Sequence, residues 1–263
     1  EGDAIKKGDD PNDRLRVAMV PSAINPAHWI HLLMGLLSEV DVALLCGTGA
    51  DTRKPQDKLP QTMKYRFELA DMITRKMLAP FVRFCDFGNL SEADLELLGD
   101  EGTPGKTVKY ADPTKKADDQ KKPRDTIDGE DYIFKMFAKP ENRNKYLTIY
   151  YYIGLDHQHF TDKYDTYGKL RDNIKRFTEK GIFQPKYHKI VMVIVDRPGE
   201  AKYQQIPDSL EGYDDVREFL SIDTKPAPVI LKAENSISAT NIRKAIYGEN
   251  KINFVLMPFQ AYK

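Results

Sequence analysis

The sequence predicts an α/β protein whose doubly wound parallel sheet is covered by helices on both faces. Short apolar runs typical of buried strands alternate along the chain with patterns of helical period. Alternation of this kind is typical of parallel sheets, because consecutive parallel strands need a crossover connection between them. Each polar motif described below also begins where a predicted strand ends, which is the edge at which such sheets bind ligands.

The first part of the chain predicts three strands, each followed by a helix. Asn25 is a favoured N-cap and Pro26 suits the first helical position, so the first helix is expected to start there. Apolar residues at helical spacing from Met63 to Met77 predict the second helix, and Ser91 is a natural cap for the third. The predicted strands are residues 15–20, 40–46 and 81–85, and the predicted helices are residues 26–38, 63–78 and 91–98.

The second part of the chain continues the alternation, with polar segments between its elements. A single domain is expected over residues 14–263. The segments expected to lie outside the regular pattern are a disordered lead at residues 1–13, a polar insertion at about 99–145 and an acidic loop at 200–224. The predicted strands are residues 147–153, 189–195 and 228–232, and the predicted helices are residues 166–178 and 239–247.

Composition limits the class of protein. With 263 residues and 41% apolar content, the chain is long enough to bury one sizeable core. Lysine and arginine total 40, as do aspartate and glutamate, and this balance argues against a nucleic-acid partner. No apolar run is long enough to cross a bilayer, and no secretory segment opens the sequence, so no membrane partner is expected. Cys46 and Cys85 end apolar runs and are expected to be reduced core residues in an intracellular compartment, the cytoplasm or the nucleus.

Two histidines follow the first predicted strand. His28 and His31 are three residues apart, which places them on one face of the first turn of the predicted helix. Unpaired backbone N–H groups and the positive end of the helix dipole lie at the same place, so this turn suits a phosphate chain. The alternative is a histidine-bearing core helix without a ligand. The chain has no cysteine and histidine spacing that suits zinc, and no metal site is predicted.

A second polar motif follows the predicted strand at 228–232. Ser238 is a natural N-cap, which places Thr240 and Arg243 in the first turn of the next predicted helix. Hydroxyls, backbone amides and a guanidinium would then converge on a triphosphate. Taken alone, this segment is equally typical of an ordinary capped helix with an exposed arginine. Two such helix starts, each placed directly after a strand, favour phosphate binding.

These two segments resemble the signatures of the nucleotidylyltransferases. The first signature is Gly-x-Phe-Asn/Asp-Pro-x-His-x-Gly-His, and this sequence departs from it at Ser22, Ile24 and Ile30. The second is Ile-Ser-Ser-Thr-x-Ile-Arg, where Ala239 replaces the second serine.

Three more segments resemble one branch of that superfamily, the nicotinamide and nicotinate mononucleotide adenylyltransferases. They are the Gly-Leu-Asp turn at 154–156, the loop that contains Arg197, and the pair Lys58 and Arg66. The resemblance implies a Rossmann-like fold and adenylyl transfer from ATP, with Mg²⁺, to nicotinamide or nicotinate mononucleotide, giving NAD or its acid form and pyrophosphate. By position, it implies that His28, His31 and Arg243 are catalytic, that Ser22, Ala23, Lys58, Gly154, Asp156, Ser238 and Thr240 bind ATP, and that Asn25, Arg66, Phe87 and Arg197 bind the mononucleotide.

Two alternatives stay open. One is a transferase of the same fold with another phosphorylated acceptor, such as phosphopantetheine, or a cytidylyl transfer to a phospho-alcohol. The other is a non-catalytic, nucleotide-binding regulatory protein, which the departures from both signatures favour and the retained His31, Thr240 and Arg243 disfavour. The sequence does not decide between amide and acid mononucleotide. The oligomeric state is open too, because the family includes monomers and homo-oligomers.

Overall fold

In the computed structural model, the described part of the chain comprises residues 7–24, 27–47, 63–77, 81–85, 129–155, 166–196 and 214–226. Strands and helices alternate through these ranges. The strands are β1 (Leu15–Ser22), β2 (Val42–Gly47), β3 (Val82–Cys85), β4 (Leu147–Gly154), β5 (His188–Val195) and β6 (Leu220–Lys225). The helices are α1 (Trp29–Met34), α2 (Met63–Met77), α3 (Gly129–Ala138) and α4 (Thr166–Glu179).

The six strands form one parallel sheet in the order β3-β2-β1-β4-β5-β6. The chain therefore moves outward from β1 to β3 on one side, then returns to β4 on the other side of β1. This is the Rossmann strand order, in which ligands bind at the carboxyl ends of the strands where the order reverses. The predicted α/β, Rossmann-like parallel sheet is confirmed, and its switch point lies between β1 and β4.

Helices cover both faces of the sheet, as the sequence predicts. Along β1, the side chains of Val17 and Met19 belong to one core cluster, and those of Ala18 and Val20 belong to the other. Helices α3 and α4 pack on the first face, where the rings of Phe134 and Phe177 stack with centroids 4.4 Å apart. Helices α1 and α2 supply the second face. Strands covered on both sides are continuously apolar, which explains why β1, β4 and β5 are visible in the sequence.

The predicted disordered lead is wrong for residues 7–13. Gly8 adopts a positive φ of 95°, which closes a turn whose Gly8 N–H donates to the carbonyl of Asp13 at 2.8 Å. The N–H of Tyr146 donates to the Gly8 carbonyl, and Lys7 pairs with Asp41 at 2.7 Å. The charged residues of this segment are therefore used in ion pairs at the amino ends of the central strands, where composition alone suggested a solvated lead.

The polar insertion is also wrong in its last part. Residues 129–138 form helix α3, and Tyr132, Phe134 and Phe137 are fully buried against the sheet. The loop expected at 200–224 likewise contains the start of β6, where Leu220 pairs with Ile190 of β5. Both elements are short and directly adjoin polar segments, so their apolar residues do not stand out in the sequence. Predicted elements at 91–98, 228–232 and 239–247 lie outside the described residues.

Cys46 and Cys85 face each other across β2 and β3, directly opposite in the strand register. Both are buried, reduced thiols. Burial, with a further contribution from the hydrogen bond to Cys85, raises the pKa of the Cys46 thiol well above its ordinary value. A thiol with a raised pKa is a poor nucleophile, so this pair serves as core packing.

Candidate active site at the carboxyl edge of the sheet

The candidate site surrounds the end of β1 at the switch point. Ser22 is the last residue of β1, and Gly154 is the last residue of β4. The strand register pairs Met19 with Tyr151, so the two strands end at the same level of the sheet. The loop after β1 leads to α1, which lies against the second face of the sheet.

Helix α1 begins later and is shorter than the sequence predicts. His28 is its N-cap, with an extended backbone (φ −142°, ψ 171°), and the six-residue helix runs from Trp29 to Met34. Gly35 is its C-cap, and the chain passes so close to β2 there that a Cβ at this position would lie 2.8 Å from the Cβ of Ala43. A helix of under two turns aligns few peptide dipoles, so the dipole argument for phosphate binding does not hold here. Phosphate binding at this position would therefore depend on the side chains and on the backbone amides of the loop.

His31 is the central residue of the site. Its Nε2 lies 2.9 Å from Ser22 Oγ, and its Nδ1 accepts a hydrogen bond of 3.4 Å from the backbone N–H of His28. With Nδ1 as the acceptor, a neutral imidazole carries its proton on Nε2, so His31 donates to Ser22. The rings of His28 and His31 stack with centroids 3.7 Å apart. His31 is thus arranged as a hydrogen-bond donor, the opposite of a general base acting on Ser22.

The loop after β1 has an unusual backbone. Ile24 has a φ of +42°, in the left-handed region that a β-branched residue rarely adopts. This turn brings the Ile24 N–H back to Ser22 Oγ, which accepts it at 3.1 Å. The Ile24 side chain is buried in the core cluster under α1 and α2, and this packing holds the strained conformation. Strain of this kind costs about 1–3 kcal/mol and concentrates at functional sites.

Arg66 supports the same loop from α2. Its side chain is only 2% exposed, and its guanidinium donates to the carbonyl oxygen of Ala23. The guanidinium also lies over the ring of Phe67, 5.9 Å from the centroid. Because the Ala23 carbonyl is held by α2, the peptide that joins it to Ile24 is fixed in orientation.

Helix α3, which the sequence pattern does not predict, completes the framework of the site. A Cβ on Gly129 would lie 2.3 Å from Tyr151 Oη and 2.8 Å from the Cβ of Pro21, so α3 begins in direct contact with β1 and β4. Tyr132 Oη donates to the carbonyl of Gly47 at the end of β2. The signal for this helix was its cluster of aromatic residues, which ends the polar segment abruptly.

The structure brings together five of the predicted site residues, Ser22, Ala23, His28, His31 and Arg66, and places Gly154 at the end of the neighbouring strand. The other predicted positions lie outside the described residues: Asn25, Lys58, Phe87, Asp156, Arg197, Ser238, Thr240 and Arg243. Within the described ranges, no three His, Cys, Asp or Glu side chains are close enough to hold a metal ion. The helices of those ranges include none that is long and apolar enough to span a membrane.

Comparison with known proteins adds no family to this description. A scan against protein-family models found no match, and neither did a search of the curated proteins.

Proposed function

We propose that this protein transfers the adenylyl group of ATP to nicotinamide or nicotinate mononucleotide and releases pyrophosphate. The observation that carries the proposal is the position of His31. Its Nε2 donor lies 2.9 Å from the last residue of β1, in a sheet of Rossmann order and at the switch point where ligands bind. The two phosphate-binding signatures of the sequence, with the pyridine-nucleotide segments, supply the choice of substrates.

The proposed reaction needs positioning more than acid–base catalysis. The 5′-phosphate of the mononucleotide attacks the α-phosphorus of ATP, and pyrophosphate leaves in line. The nucleophile is already an anion, so no general base is required. Catalysis then comes from holding two anions in line and from donors that stabilise charge in the transition state.

Different residues of this chain are proposed to stabilise the transition state, to bind ATP and to bind the mononucleotide. His31 donates from Nε2 to a phosphate oxygen, assisted by His28 and, by resemblance, by Arg243. The loop amides after Ser22 bind the triphosphate with Lys58, Ser238 and Thr240. The strand end at Gly154 with Asp156 receives the ATP ribose, and Asn25, Phe87 and Arg197 receive the mononucleotide. Mg²⁺ enters the site bound to the ATP phosphates.

The proposed setting is the cytoplasm or the nucleus, because the thiols of Cys46 and Cys85 are reduced.

Pyrophosphate release tests the proposal directly. The full chain is incubated with Mg-ATP and one acceptor at a time: nicotinamide mononucleotide, nicotinate mononucleotide or phosphopantetheine. Release with a pyridine mononucleotide, with the dinucleotide identified as product, is the expected result and decides between amide and acid. Release with phosphopantetheine alone replaces the proposed acceptor. If none of the three acceptors gives pyrophosphate release, in protein that binds ATP, the proposed transfer is overturned.

One observation favours a second candidate, a nucleotide-binding protein without turnover. The Oγ of Ser22 accepts the Nε2 hydrogen of His31, the donor that the reaction needs. A protein that keeps this contact in its nucleotide complex would bind ATP without stabilising the transition state. ATP binding that leaves the Ser22–His31 contact intact, and no pyrophosphate release, identifies this second candidate.

A further inference from the structure

We infer that Ser22 is an internal competitor for phosphate, a residue that lowers the affinity of the site for the triphosphate. The inference rests on the proposed function. Ser22 Oγ lies 2.9 Å from Nε2 of His31 and 3.1 Å from the backbone nitrogen of Ile24. Both are donors that the proposed function directs at ATP. A phosphate oxygen takes their place only after the serine hydroxyl has left.

The loop geometry lets the hydroxyl leave without moving the backbone. Packing of the buried Ile24 side chain holds the turn, and Arg66 holds the carbonyl of Ala23 from the other side. Rotation about the Cα–Cβ bond of Ser22 therefore releases both donors while the peptide groups stay in place. The hydroxyl acts as a neutral substitute for a phosphate oxygen in the ligand-free site.

The strengths of the bonds set the direction of the effect. Charge-assisted hydrogen bonds to phosphate are about twice as strong as neutral ones, so phosphate displaces the hydroxyl. Each displaced neutral bond still reduces the observed affinity, by roughly fivefold in a typical case. The first signature of the nucleotidylyltransferases has glycine at this position, which offers no competing hydroxyl. The departure at Ser22 thus has a physical consequence that can be measured.

Calorimetry on the full chain tests the inference with two probes, Mg-ATP and inorganic tripolyphosphate. Ser22→Ala is expected to bind both probes about five- to 25-fold more tightly than wild type, because the hydroxyl occupies two donors. Ser38→Ala is the matched control, because Ser38 Oγ also accepts a side-chain hydrogen bond, from Tyr152 Oη at 2.6 Å, but outside the site. Ser38→Ala is expected to bind both probes like wild type. Weaker or unchanged binding by Ser22→Ala overturns the inference.

A second readout separates this inference from the proposed function. In ligand-free wild type, ¹⁵N NMR of His31 is expected to show the proton on Nε2, exchanging slowly with water, and faster exchange in Ser22→Ala. A proton on Nδ1 overturns the inference whatever the activity. Tighter binding by Ser22→Ala with no pyrophosphate release from any acceptor overturns the proposed transfer alone. Wild type that binds neither probe overturns both.

Discussion

The guanidinium of Arg66 donates to the carbonyl oxygen of Ala23, and this hydrogen bond joins helix α2 to the loop that follows β1. The resemblance implies that Arg66 binds the mononucleotide, whereas its nearly complete burial and its contact with the backbone indicate a positioning residue. It holds the peptide whose N–H, that of Ile24, the proposed function directs at the triphosphate. A residue of this kind affects substrate binding before it affects the chemical step.

Arg66→Met is expected to raise the KM for ATP by about tenfold and to change kcat much less. The Ala23 carbonyl loses its partner, so ATP binding must then order the loop. Steady-state kinetics and thermal unfolding measure both effects. Arg75→Met is the control, because Arg75 is an exposed residue of the same helix that pairs with Asp71. Equal falls in kcat and kcat/KM would instead place Arg66 against the reacting groups.

His31→Ala is expected to lower turnover by roughly two decades or more and to leave the thermal unfolding midpoint nearly unchanged. The variant removes a donor that the proposed reaction needs mainly in the transition state. Glu39→Ala is a suitable control, since that side chain is 95% exposed just beyond α1. A His31→Ala protein that unfolds without a specific kinetic defect would identify His31 as a core residue.

The buried His188 is expected to make the free energy of unfolding depend on pH. The residue is fully buried at the start of β5, where its ring stacks on Phe137 at 4.3 Å. Its Nδ1 accepts from the Gln184 N–H, and its Nε2 lies 3.2 Å from the carbonyl oxygen of Asn142. This arrangement fits a neutral imidazole. Burial is the main cause that lowers the pKa of His188 from 6.5 to about 4.

The unfolded chain therefore binds a proton at His188 below about pH 6.5, whereas the folded protein binds it only below about pH 4. The free energy of unfolding should fall as the pH falls through this window, by roughly 3 kcal/mol from this residue. Urea unfolding at several pH values measures the slope. His188→Gln is expected to remove this part of the slope, and parallel curves for the two proteins would contradict the assignment.

Gly35→Ala is expected to destabilise the fold by about 1–3 kcal/mol, because its Cβ would lie 2.8 Å from the Cβ of Ala43. Urea unfolding of Gly35→Ala, Ala43→Gly and the double variant measures the coupling between the two positions. The double variant should be more stable than the sum of the single effects predicts. Additive effects would mean that the cost of Gly35→Ala arises elsewhere.

The sequence predicts the four central strands and the edge strand β3, and it misses the edge strand β6 and helix α3. β1 has four consecutive buried residues, a pattern that no solvated element shows. β6 lies at the edge of the sheet, where its residues 221–225 are half-buried or exposed. Leu220 and Ile222 alternate with polar residues, but β6 lacks the continuous apolar run of the buried strands. Helix α3 was hidden because its ten residues follow a long polar segment.

Ser22, His28 and His31 lie close together, as their positions in the sequence suggest, but their contacts were not predictable. The rules for caps favour a helix that starts at Pro26, yet the chain reaches helical geometry only after His28, which is extended. The contact between Ser22 and His31 depends on this late start. It also depends on the left-handed backbone of Ile24, which tertiary packing imposes on a residue that disfavours it. Sequence patterns describe local preference, so neither feature is visible in them.

The strand register also has a consequence for the order in which the chain folds. Val17 in the central strand pairs with Val42 on one side and with Ile149, in the second half of the sequence, on the other. During synthesis, β1, β2 and β3 can associate while the other edge of β1 still lacks its neighbour. An apolar strand with an open edge is a template for pairing with other chains. β1 therefore leaves the ribosome before the strand that covers its open edge, and the emergence of β4 is the step that protects it.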